Sequence, residues 1–281
     1  MEDHPNRAPH FFTETPLRAI PEIPYEKLVE LSQLATIADT VSLYDDLRIA
    51  TKKLAWTKLA GLRALGIDQI LSQQEVDSYK LSDPVAQAEH ARAITELVTY
   101  GKATLDSISH FFNKRWALGF KEKSSDLKWS TFRQGVLEKI PALKEFLTNS
   151  TWWLDGKAKE SSSLPAARDF WIHRSSPAIR LVWPPIEIGV LPIPKTLTQS
   201  LSTHVCSENF YSTHDFASLH LSKLTSLFHT ALEAAIAEER QHNPGYVNKT
   251  DNETVMEFYP FVLSTSMQIA GIKLGPFSQP S

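Results

Sequence analysis

The sequence predicts a mainly α protein, a helical bundle with small β-hairpin and strand appendages. Three observations predict it. Apolar residues recur at three- and four-residue steps through at least five stretches of helical length. The stretches are joined by short connections, which favours neighbouring helices packed in a bundle. Strand-like sequence rich in β-branched residues is concentrated in 178–197, which is also proline-rich, and in a closing apolar segment at 254–274.

The elements follow in order. Residues 1–24 carry Pro5, Pro9, Pro16, Pro21 and Pro24, a density that excludes a helix and predicts an extended or disordered leader. From Tyr25, the spacing of Leu28, Leu31, Leu34, Ala38 and Val41 predicts a first helix. A second runs from Leu47 to Leu65 and is expected to end near Gly66, with a short helix or loop over 67–82. Asp83-Pro84 is a capping acid followed by proline at the first helical position, so the longest helix starts there. Its stripe is Ile94, Leu97, Val98, Leu105, Ile108 and Phe112. Gly101 allows close packing, and the helix is expected to reach Leu118, with Gly119 as its stop. Residues 129–148 predict a further helix through Phe132, Val136, Ile140 or Leu143, and Leu147, kinked or split at Pro141. After the polar segment 155–163, Ser163 and Pro165 open a helix that Ser175-Ser176-Pro177 closes. Residues 178–197 read as strands or extended edges. A last helix covers Asp215 to Gln241, its buried side marked by Phe216, Leu219, Leu224, Leu227, Phe228, Ala231, Ala235 and Ile236. Residues 254–274 predict a β-hairpin.

Composition narrows the function classes. A hydrophobic fraction of 42% supports a real core in one large or two small domains. The net charge of −3 carries no global signal for nucleic acid or a membrane surface, so any such signal is local. With one cysteine, Cys206, no intrachain disulfide forms, which suits a reducing compartment; the thiol is expected to be buried or inert. The polar, proline-containing N-terminus lacks the pattern of a signal peptide, and no run of 18 apolar residues occurs. A cytoplasmic protein is expected. Walker-A, G-x-G-x-x-G and G-x-S-x-G motifs are absent, which weakens nucleoside-triphosphatase, dehydrogenase and hydrolase readings.

The segment that carries chemistry is RDFWIHR, residues 168–174. On a helix, Asp169 and His173 are four apart and share a face, where a carboxylate can accept a bond from the imidazole and orient it. Arg168 and His173 are five apart, about 140° around the axis. They converge through the length of arginine or across two copies of the helix. Arg174 follows directly. Phe170 and Ile172 are expected to face the core and Trp171 to lie at its edge. A histidine that moves a proton to or from a ribose 2′-hydroxyl, beside an arginine that holds the phosphate, suits phosphodiester chemistry without metal. The alternative is an ion pair near a helix C-terminus, where cations are favoured.

Arg168, Asp169, the three residues Phe170 to Ile172, then His173 resemble the R-x4-H motif of the HEPN superfamily. The resemblance covers roughly 83–241. It implies a four- or five-helix bundle with the motif near the start of a late helix. It implies a homodimer whose motif helices face each other across a cleft. It also implies metal-independent RNA cleavage, or RNA or nucleotide binding without cleavage. Carried over, His173 is general base or acid, Arg168 holds the phosphate and Asp169 positions the histidine. The earlier helix with LDSISHFFN resembles the family's cleft-lining helix; Asp106 and His110, and Ser109 and Asn113, stand one turn apart there. With Arg174 these are the cleft-lining candidates. The organisation expected on this basis is a leader over 1–24 and a helical extension over 25–82. A HEPN-like bundle over 83–241 follows, with 178–197 as a strand insert, then a hairpin and tail over 242–281.

Two further patterns bear on partners. Residues 101–150 hold nine Lys/Arg (Lys102, Lys114, Arg115, Lys121, Lys123, Lys128, Arg133, Lys139, Lys144) against five acids, compatible with a phosphate-attracting face. Trp116 and Trp129 lie among them and either stack on bases or belong to the core. His204, His214, His220 and His229 and one E-x-x-H, Glu239 to His242, raise a metal-binding bundle. A di-iron site needs two such motifs with two further carboxylates, so no metal or other cofactor is expected. The leading expectation is a HEPN-like protein that binds or cleaves RNA as a homodimer. Its rivals are a non-catalytic nucleotide-, RNA- or protein-binding module of that fold and, more weakly, a metal-binding helical bundle.

Overall fold

Helix α1 (Tyr25–Ile37) is followed by the helix pair α2 (Asp45–Gln73) and α3 (Pro84–Arg115) in this computed structural model. It describes residues 23–73, 84–149, 151, 153–154, 163–173, 190–192, 205–207 and 210–245. Lys53 bonds Ser107 and Arg63 pairs with Glu96, so α2 and α3 run antiparallel. Both helices feed the common core, α2 with Leu47, Ala50 and Leu54 and α3 with Ile94, Leu97 and Leu105, all buried. Helix α6 (Thr213–His242) closes the core with Phe216, Leu224, Leu227, Phe228, Ala231 and Ala235. Helix α1 lies along the last turns of α6, tied by Lys27 to Glu233 and by Glu30 to Arg240. The helices set apart in sequence as an extension thus contribute to the same core as the helices that follow them. The fold is mainly helical, as the periodicity predicts.

Several boundaries differ from the sequence reading, each for a local reason. Helix α2 continues through Gly66, because packing on α3 outweighs the roughly 1 kcal/mol that a helical glycine costs. Helix α1 stops at Ile37, and Val41, itself exposed, opens a 3-10 turn instead of extending the stripe. Helix α3 ends at Arg115, short of Leu118. Asn113 then clamps the returning chain, donating Nδ2–H to the Phe120 carbonyl at 2.8 Å and accepting the Phe120 N–H at 3.0 Å. Ala117 and Gly119 take the left-handed backbone values this reversal needs, φ +48° and +76°. Residues 129–148, by contrast, are split at Pro141 as the sequence reading allows. Helix α4 (Ser130–Lys139) ends where Pro141 follows, and a 3-10 turn and a π-turn carry Leu143 and Leu147 inward.

Three short strands, β1 (Val190–Pro192), β2 (Val205–Ser207) and β3 (Phe210–Ser212), pair antiparallel in the order β1-β3-β2. The rest of 178–197, the side chain of Cys206, the leader 1–22 and the segment 254–274 lie outside the described residues. No helix among the described residues is long and apolar enough to cross a membrane.

Candidate functional site

The RDFWIHR segment forms helix α5 (Leu164–His173), and three contacts hold it. Ser163 caps it, its Oγ accepting the Ala166 N–H at 3.1 Å. Leu164 seats on α3 at Gly101, where an added Cβ would come within 2.8 Å of Leu164 Cδ2. Trp171 packs edge-on against Phe216 of α6, ring centroids 5.2 Å apart. This last contact corrects an expectation. Trp171 is a core residue, and Ile172, expected inside, is 39% exposed. The buried face starts at Leu164 and recurs at Ala167 and Trp171, which rotates Ile172 outward.

The opposite face presents the polar group. Arg168 Nη1 donates to Asp169 Oδ1 at 2.8 Å and lies 3.4 Å from His173 Nε2. Guanidinium has no acceptor, so this second contact is a hydrogen bond only with the neutral imidazole that carries its proton on Nδ1. Asp169 thus meets Arg168 rather than His173, and the arginine stands between carboxylate and imidazole. Arg168 reaches His173 within one copy of the helix. Arg174 lies outside the described residues.

Arg168 and Asp169 open onto a cleft of about 360 Å³ between α5 and α3. Thr99, Lys102, Ala103 and Asp106 line it from α3, Pro165 from α5, and Lys128 from the segment before α4. Of the residues predicted to line a cleft, Asp106 does so. Ser109 and Asn113 do not, because both are bound to backbone. Ser109 is fully buried, donating to the Leu105 carbonyl at 2.8 Å and accepting the Leu127 N–H at 3.2 Å. Asn113 is the clamp described above. His110 is half-buried and is not among the lining residues.

The cleft's charges are arranged in pairs. Lys102 reaches Asp106 and also Asp126, the latter at 3.1 Å, and Lys128 lies 3.4 Å from the same Asp126 oxygen. Burial pushes the Asp126 carboxyl up, but Lys102, the Lys128 backbone N–H and the Lys128 ammonium outweigh it, and the group sits below the ordinary carboxylate range. In the sequence Lys102 and Lys128 stand only among the nine basic residues of 101–150; their meeting at Asp126 is not predicted. The (i, i+4) step from Lys102 to Asp106 was the one legible trace of this cluster.

Several cations of the basic stretch 101–150 are engaged within the fold. Besides Lys102 and Lys128, Lys114 donates to the Ser42 carbonyl and Arg133 to the Leu127 and Lys128 carbonyls. Arg115 enters a buried knot at the far end of α6. There Glu239, 1% exposed, accepts from Tyr44, from Arg115 at 3.1 Å and from Thr40 at 3.2 Å. Burial and the bond to Glu239 push the Tyr44 hydroxyl up. Burial opposes the charge on Arg115, but Tyr44 and Glu239 hold its pKa above the usual value. The E-x-x-H pattern is absorbed here as well, with His242 Nδ1 against the Glu238 carbonyl at 2.8 Å. Among the described residues no group of three or more His, Cys, Asp or Glu is placed to hold a metal ion. Compared with family models, curated proteins and solved structures, the chain matches none of them.

Proposed function

We propose that this chain is a HEPN-like protein of the cytoplasm that acts on RNA as a homodimer, cutting it without a metal ion. The observation that supports this reading is the grouping of Arg168, Asp169 and His173 on the outer face of α5, with Arg168 at the mouth of the α3–α5 cleft. A phosphate oxygen entering the cleft competes for the Arg168 guanidinium and draws it off the imidazole. The freed Nε2 then accepts the proton of a ribose 2′-hydroxyl as that oxygen attacks phosphorus, and the 5′-oxygen leaves with a proton from an imidazolium. Arg168 offsets the charge that grows on the phosphate oxygens. The second copy brings its own α5 against the exposed strip that contains Ile172.

A second reading, a binding module of the same fold without cleavage, is favoured by one observation. Asp106 and Asp169 line the cleft beside its cations and weaken its pull on phosphate. The test is incubation of a mixed RNA pool in EDTA with wild type and His173→Ala, both shown folded by circular dichroism. Cleavage that survives chelation and vanishes in the variant is the expected result. Absence of cleavage by clean wild type overturns the nuclease reading and leaves the binding module.

A further inference from the structure

Trp129 is 42% exposed, unusual for an indole and the one exposed tryptophan among the described residues. The chain around it is fastened at every step. Asp126 accepts the Lys128 N–H at 2.9 Å through its side chain and the Trp129 N–H at 2.9 Å through its carbonyl. Leu127 is fully buried and gives its N–H to Ser109. Arg133 binds the carbonyls of Leu127 and Lys128 at 2.8 and 3.2 Å. The backbone that carries the exposed indole is thus tied by hydrogen bonds on both sides of Lys128. Trp116, the other tryptophan of this region, packs edge-on against Phe111 at 5.5 Å and belongs to the core.

Lys128 connects this indole to the cleft. Its Nζ lies 3.4 Å from Asp126 and 5.1 Å from the Trp129 ring centroid, and the residue lines the cleft together with Arg168. A cation on one face of the ring leaves the other face for a flat, electron-poor partner. We infer that Trp129 is a stacking platform for an unpaired base of single-stranded RNA whose adjacent phosphate is held in the cleft by Lys128 and Arg168. The inference rests on the RNA reading above and gives that site its substrate class, since a base paired in a duplex cannot lie flat on the ring. Indole stacking contributes through the π-face that every base has, so the platform selects for single-strandedness rather than for sequence.

The test is fluorescence anisotropy with a labelled 12-nucleotide RNA carrying 2′-O-methyl riboses, which cannot be cut, offered as a single strand and as its duplex. Trp129→Ala, Trp129→Phe and Arg168→Ala are compared with wild type. Trp129→Ala is expected to weaken single-strand binding by about 5- to 150-fold. Trp129→Phe is expected to lose less, and duplex binding should not change. The indole's exposure and the backbone ties around it predict that both Trp129 variants fold. A single-strand affinity within twofold of wild type in Trp129→Ala, with Arg168→Ala still defective, overturns the platform and leaves the RNA reading in place. Equal losses on strand and duplex also overturn it. Wild type that binds neither form overturns both, and would point Trp129 toward a protein partner.

Discussion

Replacing Gly101 by alanine tests how α5 is positioned, because two effects of opposite sign compete there. Alanine is favoured over glycine inside a helix by about 1 kcal/mol. Against this, the new Cβ would lie 2.8 Å from Leu164 Cδ2 and 3.4 Å from Cδ1. Leu164 is fully buried, so it cannot swing into solvent, and either its rotamer or the whole of α5 must shift. Overpacking of this kind costs about 1–3 kcal/mol. The net effect is a destabilisation of about 0–2 kcal/mol, a fall in Tm of up to roughly 8 °C at this chain length. Gly66→Ala is the matched control. It sits in the interior of α2 with nothing within 4 Å of its Cβ, so it carries the propensity gain alone and should raise Tm by about 2–4 °C. Calorimetry of both variants reads the clash as their difference, about 1–3 kcal/mol. Equal stabilisation by the two substitutions would refute the close seating of α5 on α3. The double variant Gly101→Ala/Leu164→Ala should show a smaller loss than the sum of the singles, because the clash disappears with the leucine.

Further predictions follow from the same contacts. Glu239→Ala leaves Arg115 and Tyr44 buried without their acceptor and should cost about 3–5 kcal/mol, read as loss of stability in urea. An unchanged midpoint would refute the knot. Trp171→Ala should cost about 3–5 kcal/mol as a core truncation, whereas Ile172→Ala should cost well under 1 kcal/mol. The reverse order would restore the orientation expected from sequence. The lowered carboxyl of Asp126 makes the folded state bind fewer protons than the unfolded chain below the ordinary aspartate range. Its contribution is full above the unfolded value and is lost as pH falls through the folded one. Asp126→Asn should therefore flatten the acid limb of a stability–pH curve, and an unchanged limb would sink this account.

What was legible in the sequence was what a helical period carries. The stripe of α3 and the buried side of α6 apart from Leu219, which is only half-buried, match the sequence reading, because residues of those stripes pack on neighbouring helices along much of their length. Helix ends were less legible. Arg115 ends α3 because Asn113 clamps Phe120, a contact between residues seven apart that no propensity encodes. On α5 the period is only three turns long, and both Trp171 and Ile172 are apolar, so pattern alone could not choose which faced Phe216. Of the site, Arg168, Asp169 and His173 were legible as a spacing. Their actual partnership was not, because an arginine side chain can reach either neighbour. The contact of Lys102 with Asp126, on which the cluster with Lys128 is built, joins residues 24 apart in the chain and becomes visible only when α3 is paired with the segment that follows it.

If the proposed RNA reading holds, the balance of charge in the cleft sets how that binding should respond to salt. Three cations face the cleft, Lys102, Lys128 and Arg168, against the carboxylates of Asp106 and Asp169, with Asp126 behind them. A single strand neutralised by all three releases few counterions, so log K should fall with log salt at a slope no steeper than about −2. The pairing of Lys102 with Asp106 and Asp126 argues for a shallower value still, since a cation already neutralised by carboxylates takes part weakly. A slope much steeper than this would mean that a cationic surface elsewhere on the chain, or on a second copy, carries the affinity. Lys102→Gln and Arg168→Gln separate the contributions. Arg168→Gln should make the slope shallower by about 0.7, and Lys102→Gln by less. If Lys102→Gln has the larger effect, the carboxylates must turn away when RNA enters, and the ion pairs of the free cleft would be a closed state that the ligand opens.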